Sequence, residues 1–423
     1  MKSFTINTGM RDVVVELDDA NFLYCVDNNR HSLPADETVL IADALDQPYG
    51  SGLHSAPIDC RAVIIVDDAT RPTPAARIIT PILERLEKRT RDITFVTAPG
   101  THRPLTDHEL EDKIGRENLH RYPVVNLDYR QVEKYRYIGD TELGTPLHIH
   151  TAVLNADYKV AIGNIAPHAM VGWGGGAKIL QPGVSGEVTT ADTHLRGMRY
   201  PLLEVFGNID CRMRREVDAI GDRIGLNFIA NTVVDADRNI LALFCGHYRD
   251  AHRAGVEFAK KALCPAIPAQ ADIVIASAHP CNIDYWQGCK PLCFSLFGVK
   301  KGGTVIFLLD PPEGLIGNSP SHRDVLFAYL RTDAETIFRD LDAGLIKDQV
   351  GVALPLCHFQ ILAHANVICV SNGLTLEECK LLTFTPAADV HVALSEAFRR
   401  QGRDAKVGII PAAGETLVRV VPA

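Results

Sequence analysis

The chain contains no run of about 18 apolar residues, so no transmembrane helix is expected. It carries no excess of positive charge. Lysine plus arginine is 43 against 52 aspartate plus glutamate, a net charge of −9, which argues against a broadly basic nucleic-acid-binding surface. It contains no Cys-x-x-Cys. Its 11 cysteines are odd in number, scattered from Cys25 to Cys379 and closest at Cys289 and Cys293, a pattern of reduced thiols in a cytoplasmic protein. The opening MKSFTINTGMRDVVVELDD alternates apolar and polar residues and reads as a strand, not a signal peptide. No internal repeat and no low-complexity tract is found. What is present is ordinary globular composition, 46% hydrophobic and 22% charged over 423 residues. That length predicts two or three domains, each able to bury a core.

Short apolar runs ending in turn residues mark the strands. RAVIIVDD (61–68), DITFVTAPG (92–100), KVAIGNI (159–165) and NFIANTVVD (227–235) form a first series. Helical patterns, PAARIITPILERLEKR and DHELEDKIGRENLHR, lie between them, and Thr106 to Glu109 reads as a helix cap. Alternating strand and helix predicts a parallel α/β layer. Asp237-Arg238-Asn239 lies between two strand-like segments and predicts an antiparallel hairpin. A helix from His247 to about Leu263 leads into the proline-containing CPAIPAQAD, which reads as a linker. A second series follows: ADIVIASAHP (271–280), GGTVIFLLDPP (302–312), ANVICVSNG (365–373) and DVHVALSEAF (389–398). The expected fold class is α/β, with two α/β domains and mostly parallel sheets. The first domain is expected over 1–267 and the second over 268–404. The strand-like tail, about 405–423, has a pattern that allows it to return to the first domain.

In open α/β sheets, ligands bind outside the carboxyl ends of the strands. After RAVIIV come Asp67-Asp68-Ala69-Thr70-Arg71-Pro72, two carboxylates, a hydroxyl and a guanidinium able to grip an anion bidentately. The same residues also read as a capped helix start, with Asp68 or Thr70 as the cap. After DITFVTA comes Pro99-Gly100-Thr101-His102-Arg103-Pro104, which sets a histidine in a turn as an acid or base, or simply as a solvent-facing turn residue. The most unusual stretch is PHAMVGWGGGAKILQPGVSG (167–186). Its glycines allow close backbone approach to an anion, and Lys178 ends the cluster. It is neither a Walker A loop nor a GxGxxG fingerprint, and a generic glycine-rich turn has the same look. Lys178 is also a candidate for covalent attachment. His194 follows 16 residues after Lys178 and 26 after His168, outside the spacing of a helix-borne zinc pair. In the second series, Gln287 and Lys290 are three apart and share a helical face beside the flat wall of Trp286, which an ordinary amphipathic helix start would also produce.

In this order, DDATRP, PGTHRP, PHAMVGWGGGAK, QPGVSG, His194, and Gln287 with Lys290 resemble the lactate racemase family of nickel-pincer-nucleotide-dependent 2-hydroxyacid racemases and epimerases. The resemblance implies two α/β domains with the active site in the cleft between them. It implies a pyridinium-3,5-bisthiocarboxylic acid mononucleotide bound covalently to Lys178, with nickel held by two sulfurs, a ring carbon and His194. Square-planar coordination is a preference of Ni(II). Asp68, Ala69, Thr70 and Arg71 would hold the nucleotide together with Gln287 and Lys290. His102 and His168 would be the acid/base pair, and proteins of cofactor biosynthesis would be partners.

The chemistry suits these residue types. The C2 hydrogen of a 2-hydroxy acid is weakly acidic because the adjacent carboxylate is already negative. Its removal as hydride avoids a dianion and gives a planar 2-oxo acid that can be reduced on either face. Inversion then needs a base for each enantiomer, hence two histidines. Arg71 and Lys290 are candidate partners for the substrate carboxylate. The sequence departs from its relatives at Gly-Trp-Gly-Gly-Gly-Ala-Lys, where an aromatic followed by Ser-Gly-Gly is common, and at Trp286, where a tyrosine is expected. Trp286, Ala169 and Met170 would shape the pocket beyond C2 and admit a larger or more polar acid than lactate, including a sugar acid. Two other readings are a non-catalytic mononucleotide- or cofactor-binding protein and a metal-dependent hydrolase.

Overall fold

The computed structural model describes residues 1–26, 33–235, 237–317, 320–414 and 416–421. Its contacts separate two units. One is His31–Gly197 with Asn208–Ala259, and the other is Met1–Arg30 with Met198–Gly207 and Lys260–Ala423. Each is an α/β unit built on a six-stranded sheet. No helix among the described residues is long and apolar enough to cross a membrane.

In the first unit, RAVIIVDD lacks alternation, the mark of a strand covered on both faces. It forms Ala62–Asp67, buried at every position. The sheet runs Ile240–Gly246, Phe228–Val234, Tyr158–Asn164, Ala62–Asp67, Ile93–Ala98 and Val124–Val125. All neighbours are parallel except the edge strand Ile240–Gly246. The hairpin expected at Asp237-Arg238-Asn239 is present. Asp235 Oδ1 accepts from the backbone N–H of Asp237 and of Asn239, and Arg238 takes φ 63°.

The helix Ala75–Leu86 buries Ala75, Ile78, Ile79, Ile82, Leu83 and Leu86, an i, i+3, i+4 stripe that packs with Ile64, Val66, Phe95 and Val160 of the sheet. It starts after Pro74, so neither Asp68 nor Thr70 is its cap. The next helical stretch is broken into Asp107–Ile114 and Arg116–Arg121 at Gly115, whose φ is 87°. Thr106 and Glu109 close a capping box on the first of these. From Ala62–Asp67 the chain moves to Ile93–Ala98 on one side, then returns to Tyr158–Asn164 on the other. Strand order reverses between Ala62–Asp67 and Tyr158–Asn164, which makes the carboxyl ends of these strands the expected place for a ligand.

The second sheet is all parallel, in the order Thr385–Ala387, Asn366–Val370, Val299–Leu308, Ala271–Ser277, Val407–Ile410 and Phe22–Cys25. Three expectations are corrected here. The segment 389–398 is not a strand but lies in the helix Val390–Gln401. Its apparent alternation is overridden by Asp389, whose carboxylate caps the N–H groups of His391 and Val392, and by burial at Val390, Ala393, Leu394 and Ala397. The tail does not return to the first unit, because Val407–Ile410 is an interior strand of the second sheet. The amino-terminal strands also belong to the second unit. Phe22–Cys25 pairs with Val407–Ile410, and the hairpin Lys2–Asn7 with Asp12–Leu17 packs Ile6, Val13, Val15 and Leu17 on Ile273, Ile275 and Ile409. Apolar alternation identifies a strand but not the sheet it joins when the partner lies hundreds of residues away.

A chain stopped after Asp404 would lose Val407, Ile409 and Ile410, all fully buried. At ~1.5–3 kcal/mol for each such side chain, the loss approaches the ~5–15 kcal/mol stability of a whole domain. The second unit of this truncated chain is expected not to fold. A thermal melt and amide-exchange pattern matching the full-length chain would contradict the interior placement of that strand.

Candidate active site

The strand Ala62–Asp67 ends in two carboxylates with opposite settings. Asp67 is buried, with its Oδ1 2.7 Å from Lys113 Nζ and its Oδ2 accepting from Thr73 Oγ1. The Lys113 ammonium also donates to the carbonyls of Arg71 at 2.9 Å and Thr73 at 3.2 Å. Its three hydrogens thus meet three acceptors, two of them in the 71–73 backbone. Burial pushes the Asp67 carboxyl up, and the attraction of Lys113 opposes this without cancelling it.

Asp68 is set the other way. Burial alone would raise its carboxyl, but His102, Arg71 and Thr70 outweigh burial and hold it well below the usual carboxylate range. Its Oδ2 lies 2.5 Å from His102 Nδ1, and its Oδ1 accepts from Thr70 N at 3.0 Å and Thr70 Oγ1 at 2.6 Å. The sign follows from the depressed folded value: the stabilising contribution of Asp68 is present above the ordinary carboxylate range and is lost only as pH falls through that depressed value. A carboxylate only accepts, so His102 carries its hydrogen on Nδ1 and turns its acceptor nitrogen, Nε2, outward from the pair.

The turn that carries His102 is tied to the glycine-rich segment. Gly100, at φ 61°, donates to Gly183 O at 2.9 Å, and a Cβ on Gly100 would lie 3.2 Å from Pro182. Gly183 has no room for a side chain, since its Cβ would lie 2.1 Å from Ile179 O. Lys178 stands on the short 3-10 helix Gly176–Ile179 between these points and is half-buried. Behind it, Gly176 N donates to Asn231 Oδ1 at 2.7 Å, Gly174 O accepts from His252 Nε2 at 2.7 Å, and the carbonyl of Trp173 accepts from the fully buried Arg214. Burial holds His252 well below its ordinary value, so the ring is neutral with its hydrogen on Nε2. A Cβ on Gly175 would lie 2.9 Å from Asn231 Oδ1, and one on Gly176 would lie 3.0 Å from His252, so side chains pack tightly behind this loop.

His168 lies on the two-residue strand Pro167–His168, paired with Gly172–Trp173. Its Nδ1 accepts from Met170 N at 3.2 Å, the opposite tautomer from His102. Ala169 and Met170 are half-buried in the same hairpin. Met170 meets the helix Glu187–Met198 at Gly197, where a Cβ would lie 3.1 Å from Met170 Cβ. His194 is on that helix. Its Nδ1 donates to Thr190 O at 2.7 Å, which leaves the lone pair on Nε2. In the second unit, Asp284 caps the helix Tyr285–Ser295 through Gln287 N at 2.8 Å. Trp286, Gln287 and Lys290 are half-buried along it, with Lys290 Nζ 5.3 Å from the Phe294 ring.

Within the first unit, hydrogen bonds and close packing thus join the Asp68, His102 and Lys178 segments, and the His168 and His194 segments. Gln287, Lys290 and Trp286 are carried by the second unit. A hollow of about 550 Å³ lined by Asp157, Tyr158, Asn227 and His247 lies at the opposite, amino ends of the strands of the first unit. The supporting residues Lys113, Asn231, Arg214 and His252 are absent from the sequence reading. Asn231 had a visible signal, a lone amide inside an apolar strand. Lys113 and Arg214 sit in charge-rich helical stretches where a buried cation looks like a solvated one.

Residues 8–202 match the lactate racemase N-terminal domain, and residues 267–418 match the lactate racemase C-terminal domain. The chain belongs to the lactate racemase family. Proteins of this family are isomerases, and the chain is an enzyme of that class. It is 28% identical to lactate racemase of Thermoanaerobacterium thermosaccharolyticum over 400 residues, 90% of this chain and 91% of that protein. It is 27% identical to lactate racemase of Lactiplantibacillus plantarum over 418 residues, 95% and 96% of the two chains. The lactate racemase apoprotein structure from T. thermosaccharolyticum superposes with a TM-score of 0.87 at 25% identity, covering 99% of this chain and 100% of that one. A crystal structure of a Thermotoga maritima protein shares the fold, with a TM-score of 0.71 at 17% identity over 92% of this chain and 100% of that one.

Lys113→Met leaves the Asp67 carboxylate buried without its cation, an expected loss of ~3–5 kcal/mol at pH 7. Because the folded carboxyl of Asp67 is raised, and more so without the ammonium, the penalty applies above its folded pKa and is relieved as pH falls below it. Denaturant melts at pH 7 and pH 5 should therefore show the gap to wild type narrowing on acidification. A gap that is constant with pH, or below ~1 kcal/mol, would contradict the role assigned to the pair.

Proposed function

We propose that the chain inverts C2 of a 2-hydroxy acid as a racemase or epimerase, using a nickel-pincer nucleotide carried on Lys178. The observation that supports this most directly is the Asp68–His102 pair, one hydrogen-bonded turn from the Lys178 loop through Gly100 and Gly183. The donor set suits the group. Lys178 offers an amine for the thioamide link. His194, with its Nδ1 hydrogen committed to Thr190 O, has at Nε2 the neutral nitrogen donor that would suit nickel. The guanidinium of Arg71 is suited to the nucleotide phosphate. Both oxygens of Asp68 are engaged within the turn, so its part is to shape that turn and orient His102. Gln287 and Lys290, on the helix Tyr285–Ser295, are further cofactor-holding candidates that the family resemblance implies. Proteins that make the cofactor would be partners.

When bound, the cofactor would supply a reversible acceptor for the C2 hydrogen with its bonding electrons, the oxidised substrate being a planar 2-oxo acid. The chain handles the oxygen. His102 is held by Asp68 with Nε2 as an acceptor and takes the proton of the C2 hydroxyl. His168 serves the other face as an imidazolium, its Nδ1 then carrying a hydrogen and releasing Met170 N; it gives its Nε2 proton to that oxygen and is left neutral, so one ring gains a proton as the other loses one. Arg71 holds the substrate carboxylate and keeps C2 in place while the oxo acid turns; Lys290 is a further candidate that the family resemblance implies. Ala169 and Met170 bound the space beyond C2.

The test is intact mass and metal analysis of the protein made together with the cofactor-synthesis enzymes. Wild type is expected to carry a heavy, nickel-containing adduct, Lys178→Ala to lack the adduct, and His194→Ala to lose nickel. His102→Ala and His168→Ala should each keep the adduct and abolish racemisation. Asp68→Asn should keep the adduct and slow racemisation by about 10²–10⁴-fold through loss of the His102 tautomer. No adduct on wild type under full cofactor supply, or deuterium at C2 exchanging freely with solvent during inversion, would overturn the reading.

A further inference from the structure

Two buried polar side chains lie in sequence between Lys178 and His194, and the mechanism above uses neither. Gln181 follows Lys178 by three residues and is 2% exposed. Its amide nitrogen, Nε2, donates to Oγ1 of Thr193, which directly precedes His194 and is 3% exposed. The chemistry of the hydroxyl requires the amide nitrogen at this contact and not the amide oxygen. Thr193 directs its one hydroxyl hydrogen to the carbonyls of Thr189, at 2.9 Å, and Thr190, at 3.0 Å, so toward Gln181 it only accepts.

The contact closes a short path within the first unit. On one side, the backbone between Lys178 and Gln181 is held. Lys178 N donates to Gly175 O at 3.3 Å, Leu180 N donates to Ala177 O at 2.9 Å, and Leu180 O accepts from Ser185 Oγ at 2.7 Å. On the other side, the Thr190 carbonyl that meets Thr193 Oγ1 is the same one that takes the Nδ1 hydrogen of His194. Side-chain hydrogen bonds therefore run from the Lys178 turn to the His194 imidazole. Thr189 Oγ1, bonded to Pro146 O at 2.6 Å, and Asp192 Oδ2, bonded to Thr145 Oγ1 at 2.9 Å, tie the same helix to residues 145–146 instead.

A buried amide and a buried hydroxyl lose water and recover mainly what their mutual bond supplies, and methionine and valine would fill the same space. What the polar pair adds is direction. It holds two backbone segments at hydrogen-bond distance and in one orientation, which apolar packing does not impose. A group linked covalently to one segment and through a metal–nitrogen bond to the other needs that constraint, because a histidine ligand depends on the partners that orient its ring.

We propose that Gln181 and Thr193 are positioning residues that keep the His194 imidazole in register with Lys178, and that this link sets how firmly nickel is retained on the tethered cofactor. The proposal rests on the racemase reading above and deepens it by adding two residues that act through His194.

The test is nickel release. Protein made together with the cofactor-synthesis enzymes is freed of unbound metal and given excess EDTA. Nickel loss is followed by metal analysis, and intact mass reports the adduct. Gln181→Met and Thr193→Val are expected to carry the adduct and to lose nickel about 10-fold faster than wild type. Thr193→Ser, which keeps the hydroxyl, should release nickel at the wild-type rate. The double variant Gln181→Met/Thr193→Val should match the faster single variant, because both substitutions break one link. Wild-type release in Gln181→Met and Thr193→Val, equal acceleration in Thr193→Ser, or multiplied effects in the double variant overturns the proposal and leaves the racemase reading standing. If a single variant does not fold, the double variant, in which neither partner is left unpaired, decides the matter. A wild type that gains no adduct under full cofactor supply overturns the racemase reading, and this proposal with it.

Discussion

A single ammonium under the end of one strand organises the candidate active site. Lys113 neutralises Asp67 and holds the carbonyls of Arg71 and Thr73, so the backbone that follows Asp68 is clamped from below. With that backbone fixed, Asp68 can accept from Thr70 on one oxygen and from His102 on the other. The two neighbouring carboxylates thereby take different work. Asp67 is the buried anchor, and burial works against its charge. Asp68 is the stabilised anion and orients an imidazole. Adjacent like charges at a strand end would repel, and the structure separates them by giving each its own cationic or hydrogen-bonding partner.

The same economy recurs around the histidines. Around the candidate site, one nitrogen of each of four rings is assigned by a neighbour: His102 by a carboxylate, His168 by a backbone N–H, and His194 and His252 by backbone carbonyls. Which nitrogen remains for chemistry is therefore set by local backbone geometry and not by pH alone. His252 illustrates the opposite use. It is fully committed to Gly174 and, with Asn231 and Arg214, keeps the glycine-rich backbone in place.

Much of this was legible in the residue pattern. Unalternated runs such as RAVIIVDD gave the buried parallel strands, and the rule that ligands bind beyond strand carboxyl ends pointed to DDATRP, PGTHRP and the segment around Lys178. The pairing of Asp68 with His102 was not legible, because it joins residues 34 apart whose distance depends on the register of Ala62–Asp67 against Ile93–Ala98. Helix 390–401 was misread because a short valine-rich stretch satisfies both periods, and only the capping Asp389 decides between them. The assignment of the first and last strands failed for a related reason: sheet membership is a long-range property that local alternation does not encode.

The placement of Phe22–Cys25 beside Val407–Ile410 has a consequence for biosynthesis. The sheet they complete joins segments hundreds of residues apart, whereas the unit bearing Lys178 is drawn from the residues between them. On a ribosome, the middle can collapse as soon as it has emerged. The other sheet must wait, with Phe22–Cys25 already made and without its neighbour, until Val407–Ile410 has been synthesised.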